Sequence, residues 1–204
     1  MTEFKAYPKT PRLFRDVVVT EKIDGSNAGI QIIPVSDGVN GPDICWSATE
    51  DTKMRVVAQS RKRIIVPGDD NFGFAKWVQE NQVGLATHLG EGTHYGEWWG
   101  SGIQRGYGLP KGEKRFSLFN VKRWGQVDLT AVPGLHVVPT LYEGPFDQDV
   151  INSLVDELRR DGSFAPGLLN RGFHAEGVIV FHSASGQVYK VLCENDEIPK
   201  GLVA

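Results

Sequence analysis

Nine short runs rich in β-branched and aromatic residues, separated by turn-forming residues, constrain this chain most: Val17 to Ile23, Ala28 to Ile33, Ile44 to Ala48, Met54 to Ala58, His94 to Trp99, Phe116 to Val121, Leu135 to Thr140, Ala175 to Phe181 and Val188 to Leu192. Such segments suit a pleated, half-buried surface and read as strands. Only two stretches carry helical spacing: Phe74, Ala75, Trp77 and Val78 behind a cap at Asp70 or Asn71, and Val150, Ile151, Leu154, Val155 and Leu158 behind a cap at Asp147 or Asp149. Strands that outnumber helices without regular alternation predict an α+β fold: large antiparallel sheets with a few helices as one-sided covers. No repeat or linker-like tract divides the chain, so a single domain over residues 1–204 is expected.

With 40% hydrophobic residues the chain can bury a normal core. Its net charge of −3 and pI near 6.0 give no global basic field, so any phosphate contact must be local. Basic residues cluster at Arg61-Lys62-Arg63, at Lys111, Lys114 and Arg115, and at Lys122-Arg123. The two cysteines, Cys45 and Cys193, are far apart and lack a zinc-ligand spacing, which fits a reducing cytoplasm. Neither a signal-peptide core nor a membrane-length apolar run is present, so a cytoplasmic protein without a membrane partner is expected. A glycine-rich phosphate loop is also missing, so nucleotide binding would need other means.

Lys22-Ile23-Asp24-Gly25-Ser26-Asn27 puts a lysine at the end of a β-branched strand, followed at once by a tight polar turn. Desolvation there would favour the neutral amine, a nucleophile suited to phosphorus. Glu97, in Tyr95-Gly96-Glu97-Trp98-Trp99, must be paired, hydrogen-bonded or metal-linked unless its strand is an edge facing water. In Phe116-Ser117-Leu118-Phe119-Asn120 the two rings lie on opposite faces; both fit a core, and one can instead offer its ring to a planar base. Ala175–Phe181 and Val188–Leu192 flank Ser183-Ala184-Ser185-Gly186 and read as a hairpin. A register centred on one turn residue would set Glu176 and Lys190 on one face, either as a surface ion pair or as a cation-holding carboxylate beside a phosphate-holding lysine.

Taken in order, the Lys22–Asn27 hexad, Ser60-Arg61, Gly96-Glu97, Phe119-Asn120, Glu176-Gly177-Val178 and Lys190 resemble the nucleotidyltransferase motifs of the covalent ligase and capping-enzyme superfamily, and most of all those of ATP-dependent RNA ligases. The resemblance covers about residues 20 to 192. It implies an antiparallel-sheet-rich, ATP-grasp-like ligase adenylation domain. It also implies ATP with Mg²⁺ or Mn²⁺ as cofactors, a lysyl-AMP formed on Lys22, and sealing of RNA 5′-phosphate and 3′-hydroxyl ends. Carried over residue by residue, Glu21 would help read adenine, and Asn27 and Arg61 would contact ribose, phosphate or the nucleic-acid end. Glu97 would hold the ribose or a metal, Phe119 would stack on adenine, Glu176 would bind the metal and Lys190 would touch the α-phosphate. Arg61, Lys62 and Arg63 would form a local phosphate track.

Two departures from that pattern stand out. The last motif usually has two lysines, and here Leu192 replaces the second. No OB-fold or other domain is expected beyond it, so a partner protein is a possible source of grip on the substrate. A DNA nick ligase, a capping-type transferase or a non-catalytic nucleotide-binding module are the alternatives.

Overall fold

The computed structural model describes residues 3–48, 52–70, 72–168 and 171–197. The chain enters β1 (Asp16–Lys22), turns at Ile23–Gly25 into β2 (Ser26–Pro34), and continues through β3 (Ile44–Ser47) and β4 (Thr52–Ser60). Helices α1 (Phe74–Glu80) and α2 (Gln82–Leu89) lead to β5 (Gly92–Gly100), β6 (Lys114–Leu118), a one-turn α3 (Val121–Trp124) and β7 (Leu135–Val137). The chain then forms β8 (Thr140–Pro145), α4 (Gln148–Asp161), β9 (Gly177–His182) and β10 (Gln187–Leu192). Two sheets result, with strand orders β10-β9-β1-β8 and β3-β4-β2-β5-β6-β7. Their pairings are antiparallel apart from β6 with β7. The expected α+β architecture is observed.

Each sheet is covered on one side. On α4, Ile151, Val155 and Leu158 recur at helical spacing and bury against Val17 and Val19 of β1 and Val178 and Val180 of β9. Asp147 caps that helix, accepting from the Asp149 amide at 2.8 Å. The larger sheet buries Ile30, Ile32, Val56, Trp98 and Phe116 against Phe74 and Val78 of α1 and Leu85 and Leu89 of α2. Phe74 sits 5.0 Å from Phe116 and 5.3 Å from Trp98, centroid to centroid. Each such side chain contributes about 1.5–3 kcal/mol on burial. Strand alternation then sends the residues between these core positions to the uncovered faces.

Three expectations change. The run Leu135 to Thr140 is not one strand: β7 ends at Val137 in the larger sheet and β8 begins at Thr140 in the smaller, so Val138-Pro139 is the crossover. Proline lacks the amide a continuing ladder would need. The run Phe116 to Val121 stops at Leu118, because the Asn120 side chain accepts from the Arg123 amide at 3.2 Å and starts α3. Helix α2 was not anticipated; it is eight residues long with Gly84 inside it, and its buried Leu85, Ala86 and Leu89 give little periodic signal. Among the described residues no helix is long and apolar enough to cross a membrane.

Candidate active site

The turn after β1 joins the two sheets and brings their uncovered faces together. Gly25 makes this approach possible: a Cβ there would lie 2.5 Å from the Trp98 carbonyl oxygen and 3.0 Å from Cγ of Glu97. Two contacts fix Asp24. Its amide donates to the Tyr107 hydroxyl at 2.7 Å, and its carboxylate accepts from Arg105 Nε at 3.0 Å. Tyr107 is fully buried, with its ring edge-on to Trp99 at 5.3 Å, and burial raises its pKa. Neither Arg105 nor Tyr107 was singled out in the sequence. The only available signal was the glycine-punctuated loop Gly102-Ile-Gln-Arg105-Gly-Tyr107-Gly108, and nothing in it points to a partner 81 to 83 residues away.

Lys22 ends β1 on the face opposite α4, and its Nζ donates to the Glu176 carboxylate in an ion pair whose two side chains are 24% and 20% exposed. The strand-end amine that the sequence singled out is therefore held in an ion pair. Strict alternation along β9 would send Glu176 toward α4 with Val178 and Val180. Gly177, at φ +154°, breaks that alternation and lets Glu176 reach Lys22. A side chain at Gly177 would collide with the Val191 carbonyl of β10.

Glu97 of β5 completes the group. Burial raises its pKa from 4.5 to about 7; Lys22 opposes the rise, while Glu176 and Asp24 add to it. Lys22, Glu97 and Glu176 are thus close enough to feel one another's charge. In the larger sheet Glu97 pairs with Asn27 of β2 and with Ser117 of β6, so an exposed Asn27 lies in the same row. One row on, Gly29 pairs with Tyr95, whose carbonyl accepts from the Phe119 amide at 3.0 Å. The two phenylalanines separate sharply: Phe116 is fully buried, whereas Phe119 is 40% exposed at the end of β6. Arg61 is exposed one residue beyond the Ala28–Ser60 pair, at the end of the sheet that carries Asn27 and Glu97.

The remaining two residues need correction. The hairpin turn Ser183–Gly186 has four residues, so the register centres between Ala184 and Ser185 and sets Lys190 against Ile179 rather than beside Glu176. Lys190 nevertheless shares a face with Lys22: Lys22, Gly177 and Leu192 form one row, and Thr20, Ile179 and Lys190 the next. Glu21, by contrast, points to the opposite face. Its carboxylate is buried, accepting from the Ser163 hydroxyl and, at 2.7 Å, from the Phe164 amide. Burial raises its pKa, and the two hydrogen bonds with nearby Arg171 hold it down. That carboxylate is committed to the loop after α4, on the face away from Lys22.

A profile of the RNA ligase family matches residues 15–192. The chain belongs to the RNA ligase family. Solved structures of Naegleria gruberi RNA ligase variants share the fold: an apo form (TM-score 0.55, 17% identity), a form with ATP and Mn (0.58, 18%) and a form with AMP and Mn (0.56, 16%). They cover 87%, 89% and 88% of this chain. The chain in turn spans 49%, 51% and 50% of theirs, about half their length. No curated protein sequence matches significantly.

The structure sets two carboxylates, Glu97 and Glu176, beside Lys22. Among the described residues no group of three or more His, Cys, Asp or Glu forms a ready-made cage for a metal. Two hard oxygen donors beside Lys22 do fit Mg²⁺ or Mn²⁺, because such an ion keeps several ligand positions for water and phosphate.

Proposed function

We propose that this chain is the adenylating part of an ATP-dependent RNA ligase that joins 5′-phosphate and 3′-hydroxyl ends through a lysyl-AMP on Lys22. One observation carries the reading: Lys22, at a strand end, is paired with Glu176 and faces a second carboxylate, Glu97, whose proton affinity is raised by burial. A purely structural ion pair has no use for a third charge that burial makes costly.

In this reading the Lys22 amine loses its proton and attacks the α-phosphorus of ATP. A P–N bond forms, the bond to the bridging oxygen breaks, and pyrophosphate leaves. AMP then passes to a 5′-phosphate, and a 3′-hydroxyl displaces it. Glu176 and Glu97 would hold the divalent cation, which supplies charge neutralisation at the phosphate oxygens when bound. Glu176 would hold that cation and is also the ion-pair partner of Lys22, so the same carboxylate positions the nucleophile. Phe119 offers an exposed ring for the adenine face, Asn27 lies in the Glu97 row for the ribose, and Lys190 approaches from the adjacent row for the α-phosphate. Arg61, exposed at the end of the sheet that carries Asn27, would contact ribose, phosphate or the nucleic-acid end.

Incubation with α-labelled ATP and Mg²⁺ tests the reading. Acid-labile label on the protein, absent from Lys22→Ala, is expected; no label, or label that persists in that variant, overturns it. Parallel assays with RNA and DNA nicks separate an RNA ligase from a DNA nick ligase.

A further inference from the structure

The segment before β1 is a strongly basic stretch that the site leaves unused. Lys5, Lys9, Arg12 and Arg15 stand against a single acid, Glu3, in a chain whose net charge is −3. All four cations are exposed, and Phe4 and Tyr7, each 90% exposed, are interleaved with them. Pro8 and Pro11 keep the segment out of helix and sheet. It is not loose at its root: the Arg15 carbonyl accepts from the Phe146 amide at 2.9 Å, the Leu13 carbonyl lies 2.7 Å from His182 Nε2, and Phe14 packs on Phe146 at 6.2 Å.

Beside this root lies a groove of about 490 Å³, lined by Lys9, Arg12 and Arg15 on one side and by Ser185 of the β9–β10 turn on the other. The groove opens at the far end of the same strand that carries Lys22. Asp16 starts β1 and Lys22 ends it, a span of about 20 Å at ~3.3 Å per residue. Between them the uncovered face of the smaller sheet presents Lys190, then the exposed Phe181 and Val188 pair, with one exposed acid, Glu143, in the same row. Cations, aromatic rings and a continuous open face are the features of a track for a single nucleic-acid strand.

We propose that residues 3–15 form an arm that grips the phosphate backbone of the RNA strand whose end is held at Lys22. The assignment rests on the ligase reading for the position of that end. Aromatic side chains at 4 and 7 stack on bases, and the cations at 9, 12 and 15 neutralise phosphates. At ~3.4 Å per stacked nucleotide, 20 Å corresponds to about six nucleotides, so strands shorter than that reach Lys22 without reaching the groove.

The experiment compares wild type with the combined Lys9→Gln, Arg12→Gln and Arg15→Gln variant, using fluorescence anisotropy with 5′-phosphorylated RNA of four and sixteen nucleotides. Three phosphate contacts at ~0.7 each in the salt slope predict that, between 50 and 200 mM salt, wild type loses about twenty-fold more affinity for the sixteen-mer than the variant does. The four-mer should bind both proteins equally, and ATP labelling of Lys22 should be unchanged. A Lys9→Glu, Arg12→Glu variant, which spares the anchored residues 13–16, should lose sixteen-mer binding further at an unchanged melting temperature. Equal salt slopes, or equal losses for the two strand lengths, overturn the arm. If wild type takes no label while the length-dependent difference persists, the ligase reading fails and the arm stands as a strand-binding element.

Discussion

The two faces of β1 treat adjacent carboxylate and amine groups in opposite ways. Toward α4, Glu21 is buried with both oxygens accepting hydrogen bonds, from Ser163 and from Phe164, so its position is fixed and its chemistry is spent. On the other face, Lys22, Glu176 and Glu97 lie together, a single ion pair forms among them, and Glu97 is left with a raised proton affinity. One face is saturated and the other is not. An unsaturated set of charges costs stability in the empty protein and is the kind that a phosphate and a divalent cation can complete.

The comparison breaks most visibly at the two neighbours in sequence. Lys22→Ala should abolish covalent labelling altogether while leaving the fold intact. Glu21→Ala should do the reverse: it strands the Ser163 hydroxyl and the Phe164 amide in a buried site, and should lower stability by about 2–4 kcal/mol in urea denaturation with labelling retained in the folded fraction. Labelling lost in Glu21→Ala at unchanged stability would show that the two faces are not separate in function.

Glu97→Gln sharpens the same contrast through pH. Because the folded protein holds the Glu97 proton up to about pH 7 against 4.5 when unfolded, the native state carries more protons in that window, and stability falls as pH rises through it. The glutamine variant lacks this loss. Its stability should match wild type near pH 4.5 and exceed it by about 2 kcal/mol at pH 8, allowing for partial solvent screening, although its labelling is impaired. A constant difference across pH would mean that Glu97 is not strained by burial.

Much of this was readable in the sequence because it depends on short-range rules. β-branched and aromatic runs located the strands, the β-branched run before Lys22 gave its place at a strand end, and opposite parity set Phe116 and Phe119 on different faces, while the choice of Phe119 came from the family resemblance. What could not be read depends on register and on backbone angles. The register of β9 with β10 turns on whether the Ser183–Gly186 loop has an odd or even centre, and Glu176 reaches Lys22 only through the positive φ of Gly177. Tyr107 and Arg105 reach Asp24 across more than eighty residues, a pairing that no local pattern encodes.

The smallest effects are expected at those two anchors of Asp24, and their ratio tests whether the pocket's geometry is held from its buried or its open side. Tyr107→Phe removes the buried acceptor of the Asp24 amide and should cost about 1–2 kcal/mol, with several-fold slower labelling as the turn carrying Lys22 loosens. Arg105→Ala removes an ion pair whose side chains are 31% and 26% exposed, and should cost less than about 1 kcal/mol. High salt should mimic the second change and leave the first untouched, since the Tyr107 contact involves no net charge. A larger loss from Arg105→Ala would put control of the lysine turn at the pocket's open rim, where substrate arrives, instead of in the core beneath it.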